Sequence, residues 1–405
     1  MSERRAIVVG AGIGGLTAAL ALARKGMHVT VVEQAAQLGE VGAGIQLSPN
    51  ATRVLFALGL EPALAGLAFR PEAVEVRTWK RGGMLSRVPL GDAVAARFGA
   101  PYFHMHRADL IAELAEAVAH EARIEVRLGA ACARCESRER GAEMTLASGE
   151  RLAADLLVGA DGIRSAVREA LFGPERARFT GNVAWRGLVP ATALASADVR
   201  PVAGLWMGPG AHFVHYYVRG GALLNFVGIV ERGDWHDESW TARGEKRDLL
   251  RDFSGWHPTV RAMVESAPED GCFRWALFDR DPLPQWSRGA ATLLGDACHA
   301  TLPFMAQGAC MAIEDAAVLA ECVGTAPSAA IPVALARYES LRRTRTAGIQ
   351  LGSRRNARLY HMRAPASWLR NLGIRAGPGL AGQMQALFGY DAFAAAHAGS
   401  AYQPQ

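Results

Sequence analysis

The 405 residues exceed what one hydrophobic core supports, and half are hydrophobic against a fifth charged, so the chain reads as a soluble globular protein of two or three folded units. The formal net charge of +5 is scattered and accompanies no nucleic-acid motif, which excludes nucleic acid as a partner and leaves a mildly basic surface suited to an anionic small molecule. Six cysteines in so long a chain make no disulfide framework, and no long uncharged apolar run would span a membrane.

A strand is reached within the first residues, with no charged-then-apolar leader, and cytoplasmic location is the expectation. That strand, Arg4 to Val9, is short, apolar and β-branched. It runs into Gly10-Ala11-Gly12-Ile13-Gly14-Gly15 and a helix-forming stretch from Leu16 to Arg24. Gly10 permits the tight turn, Gly12 lets the backbone approach a pyrophosphate, and Gly15 lets helix pack on strand, with phosphate on the helix N-terminus. Lys25-Gly26 closes the helix. A second strand, His28 to Val32, ends in Glu33, about twenty residues past the glycines, where a carboxylate accepts ribose hydroxyls. Strand, loop, helix and acid together predict a dinucleotide site, and they leave FAD or NAD open.

Further along, Val74 to Trp79 reads as a strand, and Cys132-x-x-Cys135, lacking a second pair, as structural. A buried strand from Leu156 breaks at Asp161-Gly162 and yields to a helix near Ser165. Then come Val183–Pro190, Leu205–Met207, His212–Val218 and Leu223–Val230, whose period-two patterning between Gly and Pro turns predicts an antiparallel sheet. Alternation puts His212, Val214 and Tyr216 on one face and Phe213, His215 and Tyr217 on the other. The apolar strand from Ala291 ends in Gly295-Asp296, and Pro303 and Gln307-Gly308-Ala309 precede a helix carrying Glu314 and Asp315. His299 reads as structural. Arg342, Arg343, Arg345, Arg354, Arg355 and Arg358 read as a solvated helix face. The stretch from Ala364, with Trp368, Leu369, Leu372 and Leu380, packs as helices over the rest or supplies a contact in a homodimer.

The Gly loop, the Asp-Gly motif at Asp161 and the Gly-Asp motif at Asp296, in this order, resemble the single-component FAD-dependent aromatic hydroxylases, from Ala6 to about Gly348. The stretch Val41 to Asn50, with Gln46, and the pair His106-Arg107 are most similar to the salicylate hydroxylase and 3-hydroxybenzoate 6-hydroxylase branch. The resemblance implies an α/β fold in which a doubly wound FAD-binding domain (1–70, 101–178 and 282–350) interleaves with an antiparallel substrate domain (71–100 and 179–281), followed by C-terminal helices (351–405). It implies FAD, with NADH or NADPH and O2 as co-substrates and no metal. A flavin C4a-hydroperoxide would hydroxylate a small aromatic acid.

By the same resemblance Glu33 holds the adenosine ribose, Arg107 and Asp296 contact the diphosphate and ribityl region, and Gly308–Ala309 faces the isoalloxazine. Asp161 lies between flavin and nicotinamide, and Gln46 belongs with the cofactor residues. His212 or Tyr216 deprotonates a phenol, while Val214, Pro303 and Phe304 wall the substrate pocket. Arg77, Arg186 and Arg219 are candidates for the substrate carboxylate. Relatives acting on 6-hydroxynicotinate carry a His in place of Phe304 and another near Gln46, both absent here, so the pyridine reading is disfavoured though kept as an alternative. A flavin halogenase is disfavoured because no Trp-x-Trp-x-Ile-Pro stretch occurs, although Trp235 and Trp240 are close. A non-catalytic flavin-binding redox partner is the alternative of another class.

Overall fold

The computed structural model describes residues 3–39, 44–233, 242–377 and 379–398. The predicted Val41-Gly42-Ala43 and the pair Trp235 and Trp240 lie outside the described residues.

Arg5–Val9 is followed directly by the Ile13–Arg24 helix, which starts inside the glycine loop rather than at Leu16. The strand pairs in parallel with His28–Val32 on one side and Leu156–Gly159 on the other. It is therefore the point where a doubly wound sheet reverses its strand order, the place where such folds bind ligands. Ile124–Arg127 and Ala291–Leu293 extend this sheet in parallel on its two flanks, and Ser287–Arg288 closes it antiparallel, giving six strands. A sheet covered on both faces calls for continuous apolar strands, and Ala6–Val9, Val31–Val32 and Leu156–Val158 are all buried.

The second large sheet has seven strands and draws on two stretches of chain. Its order is Phe273–Asp279, Arg178–Pro190, Leu223–Glu231, Ala211–Val218, Ala203–Gly208, Ala73–Thr78 and Met84–Pro89. The predicted strands are all present, but the sheet is mixed and not purely antiparallel: Ala73–Thr78 pairs in parallel with Ala203–Gly208. The two belong to separate passes of the chain, and a connection of that length permits parallel pairing, which a hairpin cannot.

One face of this sheet packs Trp185, Phe213 and Phe226 against Phe253 and Trp256, all buried. Each such side chain contributes about 1.5–3 kcal/mol through burial. Trp185 also donates from Nε1 to Asp252 at 2.8 Å, so its polar atom is satisfied within the apolar cluster. That face is closed, and the opposite one is left to form a cavity wall.

The Ile331–Tyr360 helix runs beside both sheets and corrects the reading of its arginines as a solvated face. Arg343, Arg355 and Arg358 are exposed, but Arg342 is fully buried. It bonds Glu314 at 2.6 Å and Asp315 at 2.7 Å, and Arg345 meets Glu314 at 2.7 Å. Arg354 reaches Asp279 and Asp281, each at 2.6 Å. Buried ions persist only when paired, and the carboxylates of the neighbouring Gly308–Val323 helix supply the pairs for Arg342 and Arg345. Among the described residues no helix is long and apolar enough to cross a membrane.

Candidate active site

A cavity of about 850 Å³ runs from the glycine loop to the open face of the seven-stranded sheet. Gly10, Gly12, Glu33, Gln46, Arg107, Asp161, Asp296, Gly308 and Ala309 line it, together with His212, Val214, Tyr216, Pro303 and Phe304. Of the predicted cofactor residues, Gly15 is the one that does not. A Cβ there would stand 1.9 Å from the Gly10 carbonyl oxygen, so its role is close helix–strand packing.

At the nucleotide end the backbone sets the geometry. Gly10 has φ +102°, and a Cβ on it would meet the Ala160 carbonyl oxygen at 2.5 Å. Gly12 caps the Ile13–Arg24 helix without a side-chain bond, and a Cβ on it would meet nothing within 4 Å. The helix N–H groups and an open space therefore face the cavity, which suits an anionic phosphate. Glu33 accepts from Ala11 N at 2.8 Å and Ala35 N at 2.9 Å, fixing its carboxylate at the end of its strand. Asp161 accepts from the Ser165 hydroxyl at 2.6 Å and from Val167 N at 3.2 Å, so it also anchors the start of the Ala166–Phe172 helix. Burial, the largest influence, raises its pKa against those hydrogen bonds.

A second helix N-terminus enters at the middle of the cavity. Gln307 caps Gly308–Val323 without a side-chain bond to that helix; its amide donates to Ser48 at 2.9 Å. Just before it, Ala306 sits at φ +51°, a left-handed conformation disfavoured for a residue with a Cβ. It follows the turn Pro303–Met305, which places Phe304 on the wall. Asp315 on this helix accepts from Gly295 N at 3.1 Å and pairs with His299 at 2.5 Å. His299 is buried against Trp286 and is absent from the cavity wall, in keeping with a structural role. Cys298 stands beside this pair, its ligand atom within 4.8 Å of theirs, but Asp315 is already held by Gly295, His299 and Arg342.

At the sheet end, alternation along Ala211–Val218 brings His212, Val214 and Tyr216 to the cavity, while His215 turns away and accepts from Trp206 Nε1 at 3.2 Å. His212 Nδ1 lies 2.7 Å from His361 Nε2, with the Phe304 ring centroid 5.0 Å away. Burial first, and His361 second, hold the His212 pKa well below its ordinary value, so the ring is neutral. Burial raises the Tyr216 phenol, against smaller opposing pulls from Arg186 and Gln46, so it stays protonated. Gln46 also accepts from the Tyr102 hydroxyl at 2.5 Å.

Of the three candidate arginines, Arg186 alone lines the cavity, its guanidinium 4.0 Å from the Trp275 ring centroid. Arg77 is paired with Glu75 at 2.8 Å and Arg219 with Asp109 at 2.8 Å.

Sequence reasoning missed Tyr102, Trp275 and Tyr360 on the wall; the C-terminal stretch, expected to pack as helices over the rest or at a dimer contact, closes over the cavity through Leu380, Met384, Leu387 and Phe388. Cys132 lines the cavity too. Tyr102, Trp275 and Tyr360 belong to no local motif, and the Cys132-x-x-Cys135 pair, read as structural, gave no sign that Cys132 faces the cavity. The one available signal was the apolar spacing of Leu380, Met384 and Leu387 on one helical face.

Residues 3–350 match the FAD binding domain family. The chain is 41% identical over 358 residues to the 3-amino-4-hydroxybenzoate 2-monooxygenase PtnB3 of Streptomyces platensis, covering 88% of this chain and 89% of that protein. It is 38% identical over 366 residues to the 3-hydroxybenzoate 6-hydroxylase of Polaromonas naphthalenivorans, covering 90% of each. Among solved structures it is similar to a salicylate hydroxylase substrate complex, with TM-score 0.85 and 27% identity over 100% of this chain and 99% of that one. The glycine cradle, the two helix N-termini and the single continuous cavity fit what these matches require, and the chain belongs to the FAD binding domain family as a flavin-dependent aromatic monooxygenase.

Proposed function

We propose that the protein hydroxylates a small hydroxybenzoate-type acid carrying both a phenolic hydroxyl and a carboxylate. The observation that carries this reading is the continuity of one cavity between the glycine cradle and the His212/Tyr216 face. Support comes also from the two relatives above, whose named substrates are an aminated and a plain hydroxybenzoate, while others are named for 6-hydroxynicotinate.

Bound FAD, reduced by NAD(P)H, supplies the activation of O2 that transfers one oxygen atom to the ring. The chain's own residues hold and shield it. The backbone of Gly10 to Gly14 would take the pyrophosphate, Glu33 the adenosine ribose, and Arg107 and Asp296 the diphosphate and ribityl region. The N–H groups of Gly308 and Ala309 would meet the ring system, where a helix N-terminus favours negative charge.

His212 and Tyr216 divide the substrate's hydroxyl between them. With Nδ1 engaged by His361, Nε2 of neutral His212 is the nitrogen that remains to accept a phenol proton, which makes the ring carbon more nucleophilic. Protonated Tyr216 serves as a hydrogen-bond donor. Arg186 pairs with the carboxylate, and Val214, Pro303 and Phe304 exclude water.

The test is oxidation of NADH and of NADPH by the FAD-loaded protein with salicylate, 3-hydroxybenzoate, 3-amino-4-hydroxybenzoate and 6-hydroxynicotinate, pairing each rate with peroxide release and product mass. A benzoate that accelerates oxidation and gains one oxygen atom upholds the reading. Stimulation by the pyridine alone, or peroxide as the sole product from every compound, overturns it.

A further inference from the structure

His212 is a poor place to leave a proton. Its ring is buried among Phe304, Tyr360 and His361, at centroid distances of 5.0, 5.3 and 5.0 Å, with no carboxylate of its own. A charge taken up there must move on or return. Among the described residues His212 shares its hydrogen bond with His361, and His361 Nδ1 in turn stands 3.1 Å from Glu231 Oε1. Glu231 is 47% exposed. Three side chains from three elements therefore form an unbroken line from the cavity wall to solvent.

Resting on the assignment of His212 as the base, we propose that His361 and Glu231 relay the substrate's phenolic proton from His212 to bulk water. The substrate O–H bond breaks as an N–H bond forms at His212 Nε2. The proton on His212 Nδ1 passes to His361 Nε2, that on His361 Nδ1 passes to Glu231 Oε1, and Glu231 releases a proton to water. No electron pair leaves the system and no oxidant is needed. As the hydroxylated ring carbon breaks its C–H bond and sheds that proton to water to restore aromaticity, the ring oxygen recovers one proton by the reverse sequence, which also restores the starting tautomers.

The local structure supports a transient charge on His361. It follows the last residue of the Ile331–Tyr360 helix, whose carbonyl end favours a cation. Its own carbonyl accepts from Gly210 N at 2.9 Å, and the Gly210 carbonyl accepts from Glu231 N at 2.9 Å, so backbone bonds fix acid and imidazole side by side. The charged groups facing the line are few. Burial foremost, with Arg363, 3.8 Å from Glu231, and Arg370 from the following helix, holds the His361 pKa below its ordinary value, so its charge is short-lived, while Glu231 favours it. Tyr360 is the other titratable neighbour, and burial keeps it protonated. The relay residues touch neither substrate nor cofactor; they are positioning residues acting through His212.

The experiment mixes oxidised, FAD-loaded protein with 3-hydroxybenzoate or 3-amino-4-hydroxybenzoate in weakly buffered solution and follows proton release with a pH-indicator dye. Glu231→Gln, His361→Gln and His212→Asn are compared with the parent, with FAD content and ligand affinity measured on each. The expected result is release slowed about tenfold or more in Glu231→Gln and His361→Gln at unchanged affinity, and abolished in His212→Asn. Parent-like release in the first two with loss in the third overturns the relay and leaves the base standing. Parent-like release in all three, or no binding of either acid, overturns both. Glu231 is half-exposed, so its variant keeps the test informative should His361→Gln misfold.

Discussion

The two ends of the cavity are built by different means. At the nucleotide end the binding surface is backbone: a glycine turn, the N-terminus of the helix that follows it and one fixed carboxylate, all drawn from the single stretch Arg5 to Glu33. At the sheet end it is side chain: His212, Tyr216, Arg186 and Phe304 come from three elements, and the partner that orients His212 arrives from the end of a helix 149 residues away. A backbone site tolerates no added atoms but survives changes of side chain around it. A side-chain site keeps its fold when altered and loses its chemistry.

The largest expected effect tests what clamps the backbone end together. Arg342 is buried with both Glu314 and Asp315, and Asp315 in turn holds Gly295 N and His299. Arg342→Met leaves two buried carboxylates under-compensated and should cost about 3–5 kcal/mol in urea unfolding, with FAD content falling alongside. A loss below about 1 kcal/mol would mean that the network is dispensable. The same cluster predicts acid sensitivity. Burial alone would raise the Asp315 pKa, but His299 and Arg342 outweigh it and hold it at about 2, below the ordinary 3.8. A depressed folded value means that this stabilisation is present above the ordinary carboxylate range and is lost as pH falls toward 2. Unfolding followed against pH should show the parent weakening over that window and Arg342→Met weakening less steeply.

Next in size is a pair of substitutions inside the glycine loop. Gly15→Ala places a methyl against the Gly10 carbonyl and should cost about 1–3 kcal/mol, seen as a lowered Tm before any cofactor is added. Gly12→Ala meets no protein atom within 4 Å, so its apo Tm should hold while FAD affinity drops, because the methyl would stand where the protein backbone must approach the pyrophosphate. Equal behaviour of the two would erase the distinction between packing and binding glycines.

The same contrast explains what could be read without coordinates. Strand, loop, helix and Glu33 were legible because every requirement is met within one unbroken stretch, Arg5 to Glu33. The assignment of His212, Val214 and Tyr216 to one face was legible because period two is a local property. Arg342 was misread because its neighbours Arg343, Arg355 and Arg358 are indeed solvated, and only the approach of a second helix singles it out. His361, Tyr102 and Trp275 carry no spacing that ties them to the cavity, and the parallel pairing of Ala73–Thr78 depends on where a distant strand docks. What was missed is what long-range packing decides.

Two smaller effects probe the side-chain end, where the fold should be indifferent. Arg186→Gln removes a charged hydrogen-bond partner and should raise KM about tenfold for a carboxylated substrate, with kcat much less affected. A loss confined to kcat would move Arg186 from holding the substrate to the reacting atoms.

Tyr216→Phe should have the smallest effect and separates the two candidates for proton chemistry. Burial keeps this phenol protonated across the working range, so it can donate a hydrogen bond but has no charge state to offer as a base. Loss of one neutral hydrogen bond is worth about 1 kcal/mol, a fewfold change in kcat/KM, with the pH–rate profile unmoved. A general base contributes about 10²–10⁴-fold, and its removal reshapes that profile, as expected for His212→Asn. If Tyr216→Phe instead showed the large loss and an altered acid limb, the phenol would be the group taking the proton. His212, with its line to Glu231, would then be reassigned to holding Tyr216 and the substrate in place.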